Sequence, residues 1–508
     1  MPLLNSIMSW IMKKRIHQME LFIRYPNEVQ REWLSRLLYS AAHTEWGKTY
    51  GYASIRSYEQ FRERVPVQDY ESLKKFIFRI KQGEKDILWP GQVQWFAKSS
   101  GTTNDKSKFI PVTEEALEEC HFKGGKDLLS IYCHNNPGSK LFSGKLLSLG
   151  GSHKINSLNN AIEHDSFYGD LSAILIQNLP YWIQLFRTPD ISIALMDEWE
   201  TKIERIAHST IHEDVTNISG VPSWTLVLMN RILDITGKKH IHEVWPNLEL
   251  FVHGAVNFEP YRLPFARLFP NAGMNYYETY NASEGFFGIQ DRNNTDEMLL
   301  MLDYGIFYEF IPVGANGEFE GNAIPLSEVK TGVNYAILIT TNAGLWRYMI
   351  GDTVKFTSIN PYRIRISGRT AQFINAFGEE LMIDNAERAM AEACLLSGAV
   401  VREYTASPLF FGNNGCGAHE WLIEFEMEPV SIEKFQYCLD QALKKLNSDY
   451  EAKRYNDMAL QMPVIRPVKR GTFYEWMKSK NKLGGQHKVP RLANHRNYAD
   501  EILSMVAE

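Results

Sequence analysis

Cysteine is scarce in this sequence and follows no recognisable pattern. The 508 residues include five cysteines, an odd number without a Cys-x-x-Cys pair: Cys120, Cys133, Cys394, Cys416 and Cys438. Such a set indicates neither a zinc site nor a framework of disulfides. We therefore expect a reducing environment and predict a cytoplasmic location.

Long apolar runs are also missing. No run of about 18 apolar residues occurs, so the sequence predicts no membrane-spanning helix and no membrane partner. Within residues 1–26 the apolar positions are interrupted by Asn5, Ser6 and Ser9, and no small-residue cleavage site follows. We expect an amphipathic first helix packed on the body of the protein instead of a targeting segment.

Basic charge is not in excess. Lys and Arg number 54 against 60 Asp and Glu, and the net charge of -6 argues against nucleic acid as a partner, because phosphate backbones need clustered basic side chains. The 44% apolar and 22% charged content is that of a folded globular protein. At this length two or three domains are expected, with room for a deep cleft.

The common phosphate-binding signatures are absent from the most suggestive loop. Residues 99–108 read SSGTTNDKSK and combine hydroxyl side chains, a glycine and two lysines between two strand-like segments. Backbone N–H groups and hydroxyls in such a turn can wrap phosphate oxygens. The loop matches neither the Walker pattern nor GxGxxG, which excludes a P-loop or Rossmann interpretation. Taken alone, it is equally an ordinary Ser/Thr-rich hairpin.

Two later segments each place a carboxylate at the end of a predicted strand. Glu284 lies in ETYNASEGFFG and Asp352 in LWRYMIGDTVKF. Magnesium takes oxygen ligands and usually binds through one or two carboxylates plus substrate phosphates, a task that suits Glu284. Asp352 has the chemistry to accept ribose hydroxyls, and Tyr280 has a ring that can stack on a purine. Considered singly, Glu284 could cap a loop and Asp352 could occupy an ordinary Gly-Asp turn.

The order of apolar segments predicts two domains. Residues up to about 90 have helical periodicity, and from Trp95 onward short apolar runs alternate with helical stretches, as in an α/β domain with mainly parallel sheets. Near residue 368 a strand gives way to a turn and a new helix. We predict a large N-terminal α/β domain, 1–368, and a small mobile C-terminal α+β domain, 369–508.

These segments together resemble known motifs. Residues 99–108, 280–284 and 347–352 resemble the three nucleotide motifs of the adenylate-forming enzymes, in the usual order, and SGRTAQFINAFGEEL (367–381) resembles their hinge. More narrowly, SSGTT, YNASEG and GGQHKVPR (484–491) resemble the acyl acid amido synthetases, which conjugate auxin and jasmonate to amino acids in plants. The resemblance spans essentially the whole chain.

The resemblance implies a set of nucleotide-binding residues. They are Ser99, Ser100, Gly101, Thr102, Thr103, Lys108, Gly254, Ala255, Tyr280, Ser283, Asp352 and Arg369. It also implies that Glu284 is a catalytic residue and the metal ligand, and that Lys488 is a catalytic cation on a loop of the small domain that closes over the site. The sequence departs from the family at Asn104 and Asp105, where small residues or glycine are usual.

The activity implied by the resemblance has two half-reactions. With ATP and Mg²⁺, a small-molecule carboxylic acid becomes an acyl-AMP, and an amino acid then displaces AMP to form an amide. Pro222, Ser223 and Trp224, at the start of a predicted helix, are candidates for the acyl pocket, although plain core packing is the safer interpretation. Two alternatives remain open at this stage: a thiol acceptor such as coenzyme A, and a nucleotide-binding regulator without turnover. The oligomeric state also stays open.

Overall fold

The computed structural model describes residues 15–100, 107–151, 153–156, 166–196, 198–256, 258, 261–270, 273–314, 319–370, 373–411, 416–480 and 489–507. Its helices are α1 (15–24), α2 (Pro26–Ser40), α3 (Glu45–Thr49), α4 (Tyr58–Arg64), α5 (Tyr70–Lys81), α6 (Glu114–Ala116), α7 (Lys123–Asn135), α8 (Leu171–Asn178), α9 (Tyr181–Gln184), α10 (Ile191–Ala194), α11 (Trp199–Thr210), α12 (Pro222–Thr236), α13 (Arg262–Leu268), α14 (Ile383–Ser397), α15 (Ile432–Leu446), α16 (Ser448–Lys453), α17 (Thr472–Ser479) and α18 (Asn497–Ala507).

Strands make up the rest of the framework. They are β1 (Trp95–Ser100), β2 (Ser107–Val112), β3 (Lys145–Ser148), β4 (His153–Asn156), β5 (Ser166–Gly169), β6 (Arg187–Thr188), β7 (Val215–Ser219), β8 (Leu250–Gly254), β9 (Asn275–Ala282), β10 (Gly285–Ile289), β11 (Met298–Leu300), β12 (Ile306–Pro312), β13 (Ile324–Pro325), β14 (Asn334–Thr341), β15 (Tyr348–Ile359), β16 (Tyr362–Arg369), β17 (Phe373–Ile374), β18 (Leu381–Met382), β19 (Val400–Phe411), β20 (Cys416–Met427) and β21 (Val464–Val468).

The α/β class is confirmed, but the expectation of mainly parallel sheets is wrong for the largest one. Within the described chain this sheet has 12 strands in the order β13-β12-β14-β15-β16-β11-β10-β9-β8-β7-β3-β6. Parallel pairing runs only from β9 to β6, and the pairs from β13 to β9 are antiparallel. Short turns join many strands after β9, whereas parallel neighbours require long crossovers such as α12.

The helical layer predicted before residue 90 is confirmed by α1 to α5. Helix α2 begins with Pro26 at its first turn, where the missing N–H costs nothing, and it buries Leu34, Leu37 and Leu38 against the large sheet. Helix α5 starts at a capping box in which the Asp69 carboxylate accepts from the Ser72 N–H. This layer supports the antiparallel half of the sheet. No helix in the described ranges is long and apolar enough to cross a membrane.

The C-terminal region has its own apolar core. The long hairpin of β19 and β20, extended by β21, packs against α14 and α15, and one cluster of buried side chains runs from Ile374 to Leu492. Helices α17 and α18 cover the same sheet through Phe473 and Ile502. The chain enters this region through 369–382, which crosses from β16 to α14. The domain boundary near 368 stays a prediction.

Candidate active site

The loop of the first motif joins two paired strands. Strands β1 and β2 are antiparallel, with Ser99 opposite Lys108, so the strands predicted on the two sides of the loop are confirmed. Lys108 is half-buried, and its ammonium lies 5.9 Å from the centre of the Tyr70 ring. Gly101, Thr102 and Thr103 lie outside the described residues, as do the side chains of Ser99 and Ser100. Their phosphate-binding role stays a prediction.

Asp352 is held by donors from two other strands. Its Oδ2 accepts a 2.8 Å hydrogen bond from the Tyr280 hydroxyl of β9, and its Oδ1 lies 2.8 Å from Arg369 Nε. Asp352 and Arg369 face each other directly across β15 and β16. These contacts fix the carboxylate, which is only 8% exposed. The second motif, the third motif and the start of the hinge therefore meet at one carboxyl group.

The expected location of Asp352 at a strand end is corrected. Asp352 lies inside β15, because the strand continues through Gly351, whose φ of 95° is a conformation that favours glycine. The Gly351 carbonyl accepts a 2.8 Å hydrogen bond from the Thr370 N–H. The apparent turn signal in Ile-Gly-Asp is thus an irregularity within a paired strand.

Glu284 lies in the turn that joins β9 to β10. Its carboxyl is half-buried, and burial raises its pKa to about 7, a shift opposed by the charge of Lys108 and reinforced by Asp352 and Glu380. Among the described residues, none forms an ion pair with Glu284 within 4.0 Å. Lys108 of the first motif and Asp352 of the third therefore both lie within electrostatic range of Glu284 of the second.

The donor chemistry around Glu284 fits a magnesium ion. In the described part of the chain, no three His, Cys, Asp or Glu side chains gather as a metal-binding cluster. A cation here would be held by the Glu284 carboxylate together with phosphate oxygens, which is how Mg²⁺ usually binds beside nucleotides. The proposed metal ligand and the nearby Lys108 would then face the same phosphates.

Tyr280 is more enclosed than a stacking role predicts. Its side chain is 5% exposed and its ring packs at 4.9 Å and 58° against Phe287. Burial and the neighbouring Asp352 raise the pKa of its hydroxyl well above the usual range, so it remains a donor. Stacking on adenine stays a prediction. Ser283, next to Glu284, is half-buried.

Gly254 and Ala255 form the turn after β8. A Cβ on Gly254 would come 2.5 Å from the Thr279 carbonyl of β9, so close approach of two strands already requires this glycine. Ala255 has a φ of 69°, which is strained for a residue with a side chain. Its carbonyl accepts a 2.9 Å hydrogen bond from the Asn375 side chain of the hinge. This turn is thus tied to the region that connects the two cores.

The predicted acyl-pocket residues Pro222, Ser223 and Trp224 also face the C-terminal region. They open α12 and are buried. The Ser223 hydroxyl donates a 3.1 Å hydrogen bond to the Phe377 carbonyl, and the Lys453 ammonium lies 5.0 Å from the centre of the Trp224 ring. These contacts place the segment at the junction of the two cores, and an acyl-binding role stays a prediction.

Arg347 of the third motif is bound to partners other than Asp352. Arg347, which opens the third motif, is 4% exposed and its guanidinium binds both oxygens of Glu309 at 2.9 Å and the Val65 carbonyl at 2.7 Å. Those bonds give it a structural role. Lys488 lies outside the described residues, so its role as the mobile cation stays a prediction.

Sequence reasoning missed the charges of the hinge itself. Glu380 Oε1 lies 3.4 Å from Arg369 Nη2. Glu379 is fully buried: its carboxylate accepts from the Ala376 and Phe377 N–H groups at 3.1 and 2.7 Å, and His419 Nε2 lies 2.8 Å from it. The sequence Gly-Glu-Glu at 378–380 was the available signal, because adjacent acidic residues in an apolar segment need hydrogen-bonding or charged partners when they are buried.

The chain matches a known protein family along most of its length. Three family models match the chain: the GH3 family N-terminal domain over residues 15–274, the GH3 family central domain over 299–369 and the GH3 family C-terminal domain over 384–497. The chain belongs to the GH3 family, and the predicted family resemblance is confirmed.

Characterised relatives match along nearly the whole chain. It is 24% identical to an indole-3-acetic acid-amido synthetase, GH3.4, of Arabidopsis thaliana, over 94% of this chain and 91% of the relative. It is 25% identical to a jasmonoyl–L-amino acid synthetase, JAR4, of Nicotiana attenuata, over 95% and 94%. Among solved structures, the GH3.15 acyl acid amido synthetase superposes with a TM-score of 0.61 at 18% identity, covering 97% and 96%.

A second solved structure extends the fold likeness beyond the family. A 2-hydroxyisobutyryl-CoA ligase superposes with a TM-score of 0.57 at 12% identity, over 95% of this chain and 92% of that one. The likeness concerns the fold alone. It places the chain in the architecture predicted for adenylate-forming enzymes.

Proposed function

We propose that this chain is an ATP-dependent acyl acid amido synthetase that joins a small-molecule carboxylic acid to an amino acid. The observation that carries the proposal is the meeting of Lys108, Glu284 and Asp352, from three separated motifs, in a chain of the GH3 family. A cytoplasmic location and a mobile small domain after residue 368 belong to the same proposal.

Each residue of the site has a distinct task in binding ATP. Asp352 accepts the ribose hydroxyls, and the bonds from Tyr280 and Arg369 hold its carboxylate in one orientation. Lys108 and the loop it borders face the phosphates. Glu284 would hold Mg²⁺, which neutralises phosphate charge when bound. Fixed donors in a partly dry cleft stabilise charge more strongly than water does.

The reaction has two balanced steps. A carboxylate oxygen attacks the α-phosphorus of ATP, the bond to the β-phosphate oxygen breaks, and pyrophosphate leaves. The neutral amine of an amino acid then attacks the acyl carbon, the bond from that carbon to the AMP oxygen breaks, and the amine proton passes to a base or to water. The products are the amide, AMP and pyrophosphate.

The test separates the two half-reactions. Carboxylate-dependent exchange of pyrophosphate into ATP is measured across a panel of carboxylic acids, and the active acid is then supplied with amino acids or with coenzyme A. We expect an amide, identified by its mass, and AMP release that depends on the amino acid. A thioester product would favour the thiol acceptor instead. ATP binding with no exchange for any acid would favour the non-catalytic regulator.

A further inference from the structure

Helix α16 carries a buried cation, Lys453. Lys453 is 8% exposed, and its ammonium lies over the Trp224 ring. Among the described residues, none offers a carboxylate within 4.0 Å of Lys453 Nζ. Burial lowers the pKa of Lys453, while the more distant charges of Asp449, Asp170 and Glu379 oppose that shift. An isolated buried ammonium is costly unless something pairs with it.

An acid lies one helical turn away on the same face. Asp449 precedes Lys453 by four residues, which puts both side chains on one side of α16. Asp449 is half-buried, and no described residue donates a hydrogen bond to its carboxylate. Burial raises its pKa, and so do the nearby charges of Glu380 and Asp170. The two groups of opposite charge thus stand close without forming an ion pair.

The surroundings of this pair are drawn from both cores. Lys98 of β1 and Asp170, just before α8, act electrostatically on Asp449, and Trp224 opens α12. On the hinge side, the ammonium of Lys453 would lie 3.2 Å from a Cβ placed on Gly378. The pair therefore lies where β1, the start of α12 and the hinge meet α16.

Glu380 connects this junction to the nucleotide residues. Its carboxylate lies 3.4 Å from Arg369 Nη2, and Arg369 in turn pairs with Asp352. Its carbonyl accepts a 3.0 Å hydrogen bond from the Asn447 side chain, which also caps α16. Helix α16 is thus linked to the carboxylate assigned to the ribose through Asn447, Glu380 and Arg369.

We propose that the Asp449–Lys453 face of α16 binds the acceptor α-amino acid, with Lys453 taking its carboxylate and Asp449 its ammonium group. The inference rests on the proposed function and extends it by naming how the acceptor is recognised. A zwitterion carries both charges on one carbon, so a cation and an acid one turn apart complement it. A plain amine or a thiol would leave Lys453 without a partner.

The test compares an amino acid with its carboxamide in Lys453→Met, a change that keeps the apolar stem over Trp224. The probe is the L-amino acid that gives the fastest AMP release in the wild type. We expect its KM to rise on the order of 10- to 100-fold, because a hydrogen bond to a charged group is lost. The KM for the carboxamide should change little, and pyrophosphate exchange should change far less than the amino-acid KM.

Matched variants keep the result interpretable. Lys445→Met removes an exposed lysine of α15 that pairs with Glu392 and should leave both KM values unchanged. Lys453→Arg should restore part of the preference for the amino acid. If Lys453→Met does not fold, Asp449→Asn should raise the amino-acid KM in the same way.

Two outcomes would overturn the inference, and they differ in whether the proposed function also fails. If amides form but neither variant alters the preference for the amino acid over its carboxamide, the acceptor site lies elsewhere and the proposed function stands. If the wild type activates carboxylic acids but accepts no amino acid, both proposals fail together.

Discussion

Asp352 is the side chain whose surroundings most closely match its assigned task. A carboxylate that receives bonds from Tyr280 and Arg369 is held in one orientation and still has lone pairs for a ligand. Substitution by asparagine keeps the size and removes the charge, so it tests the binding role with little change in packing.

We expect Asp352→Asn to raise the KM for ATP by about 10- to 100-fold, since bonds to charged acceptors are worth about 1.5–3 kcal/mol. The measurement is carboxylate-dependent pyrophosphate exchange at varied ATP, with thermal unfolding as a check on the fold. Asp296→Asn, at an exposed carboxylate paired with Arg365, is the control. Equal KM values for ATP in the two variants would show that Asp352 does not bind the ribose.

The raised pKa of Glu284 predicts that Mg²⁺ binding depends on pH. Its pKa is raised to about 7 by burial, with Asp352 and Glu380 adding to the shift and Lys108 opposing it. Only the ionised carboxylate binds a cation, so protons compete with Mg²⁺ below about pH 7, and the KM for Mg²⁺ should rise about tenfold per unit there. The measurement is the Mg²⁺ dependence of pyrophosphate exchange from pH 6 to 8.

The matched variant for this prediction is Glu284→Gln. ATP itself takes up protons in this range, so the informative quantity is the difference between the wild type and the variant. We expect a weaker and flatter Mg²⁺ dependence in Glu284→Gln. Parallel curves for the two proteins would mean that the metal is held without Glu284.

Residues within one motif were predictable because the chain presents them together. Tyr280 and Glu284 lie within one segment of five residues, and Asp352 follows a glycine in a recognisable motif. Lys453 and Asp449 carried no such signal: an Asp and a Lys four apart usually form an exposed helical pair. Their burial arises only when α16 packs against β1 and the hinge.

At the scale of elements, the hinge is organised around one buried acid. Glu379 accepts two backbone N–H groups of the same turn and contacts His419 on β20, so it joins the hinge to the C-terminal sheet. Loss of this carboxylate would leave buried donors without an acceptor, which is more costly than never having formed the bonds.

We expect Glu379→Ala to lower the free energy of unfolding by about 3–5 kcal/mol, the range for breaking a buried polar pair. Urea unfolding followed by tryptophan fluorescence gives the value, since Trp421 lies in the same core. Glu475→Ala, at an exposed helical acid, should stay within about 0.5 kcal/mol. A similar small loss in Glu379→Ala would show that the hinge does not depend on this acid.

The helices and strands were predictable, but the parallel or antiparallel direction of the strands was predicted correctly for only part of the large sheet. Apolar runs identify strands and not their polarity, and the alternation with helices ends near β9. The pairing of β15 with β14 and β16 follows from short connections that the sequence does not label. Thus the same strands that hold Asp352 and Arg369 were expected in the wrong kind of sheet.

At the scale of the whole molecule, the fold gathers motifs that are distant in the chain. The parallel half of the large sheet carries the turn at Gly254 to one edge, β9 to β16 bring Tyr280 and Asp352 within 2.8 Å, and the hinge adds Arg369. The likeness to GH3.15 over 97% of the chain agrees with this arrangement.

The central claim, that this cleft activates a carboxylic acid as its adenylate, has one direct test. The active acid is labelled with ¹⁸O in both carboxylate oxygens and turned over with ATP and an amino acid, and the nucleotide products are analysed by mass. Because the carboxylate oxygen attacks the α-phosphorus and stays there when the amine displaces it, the account predicts AMP that carries one ¹⁸O atom. Unlabelled AMP, or ADP with ¹⁸O in inorganic phosphate, would contradict it.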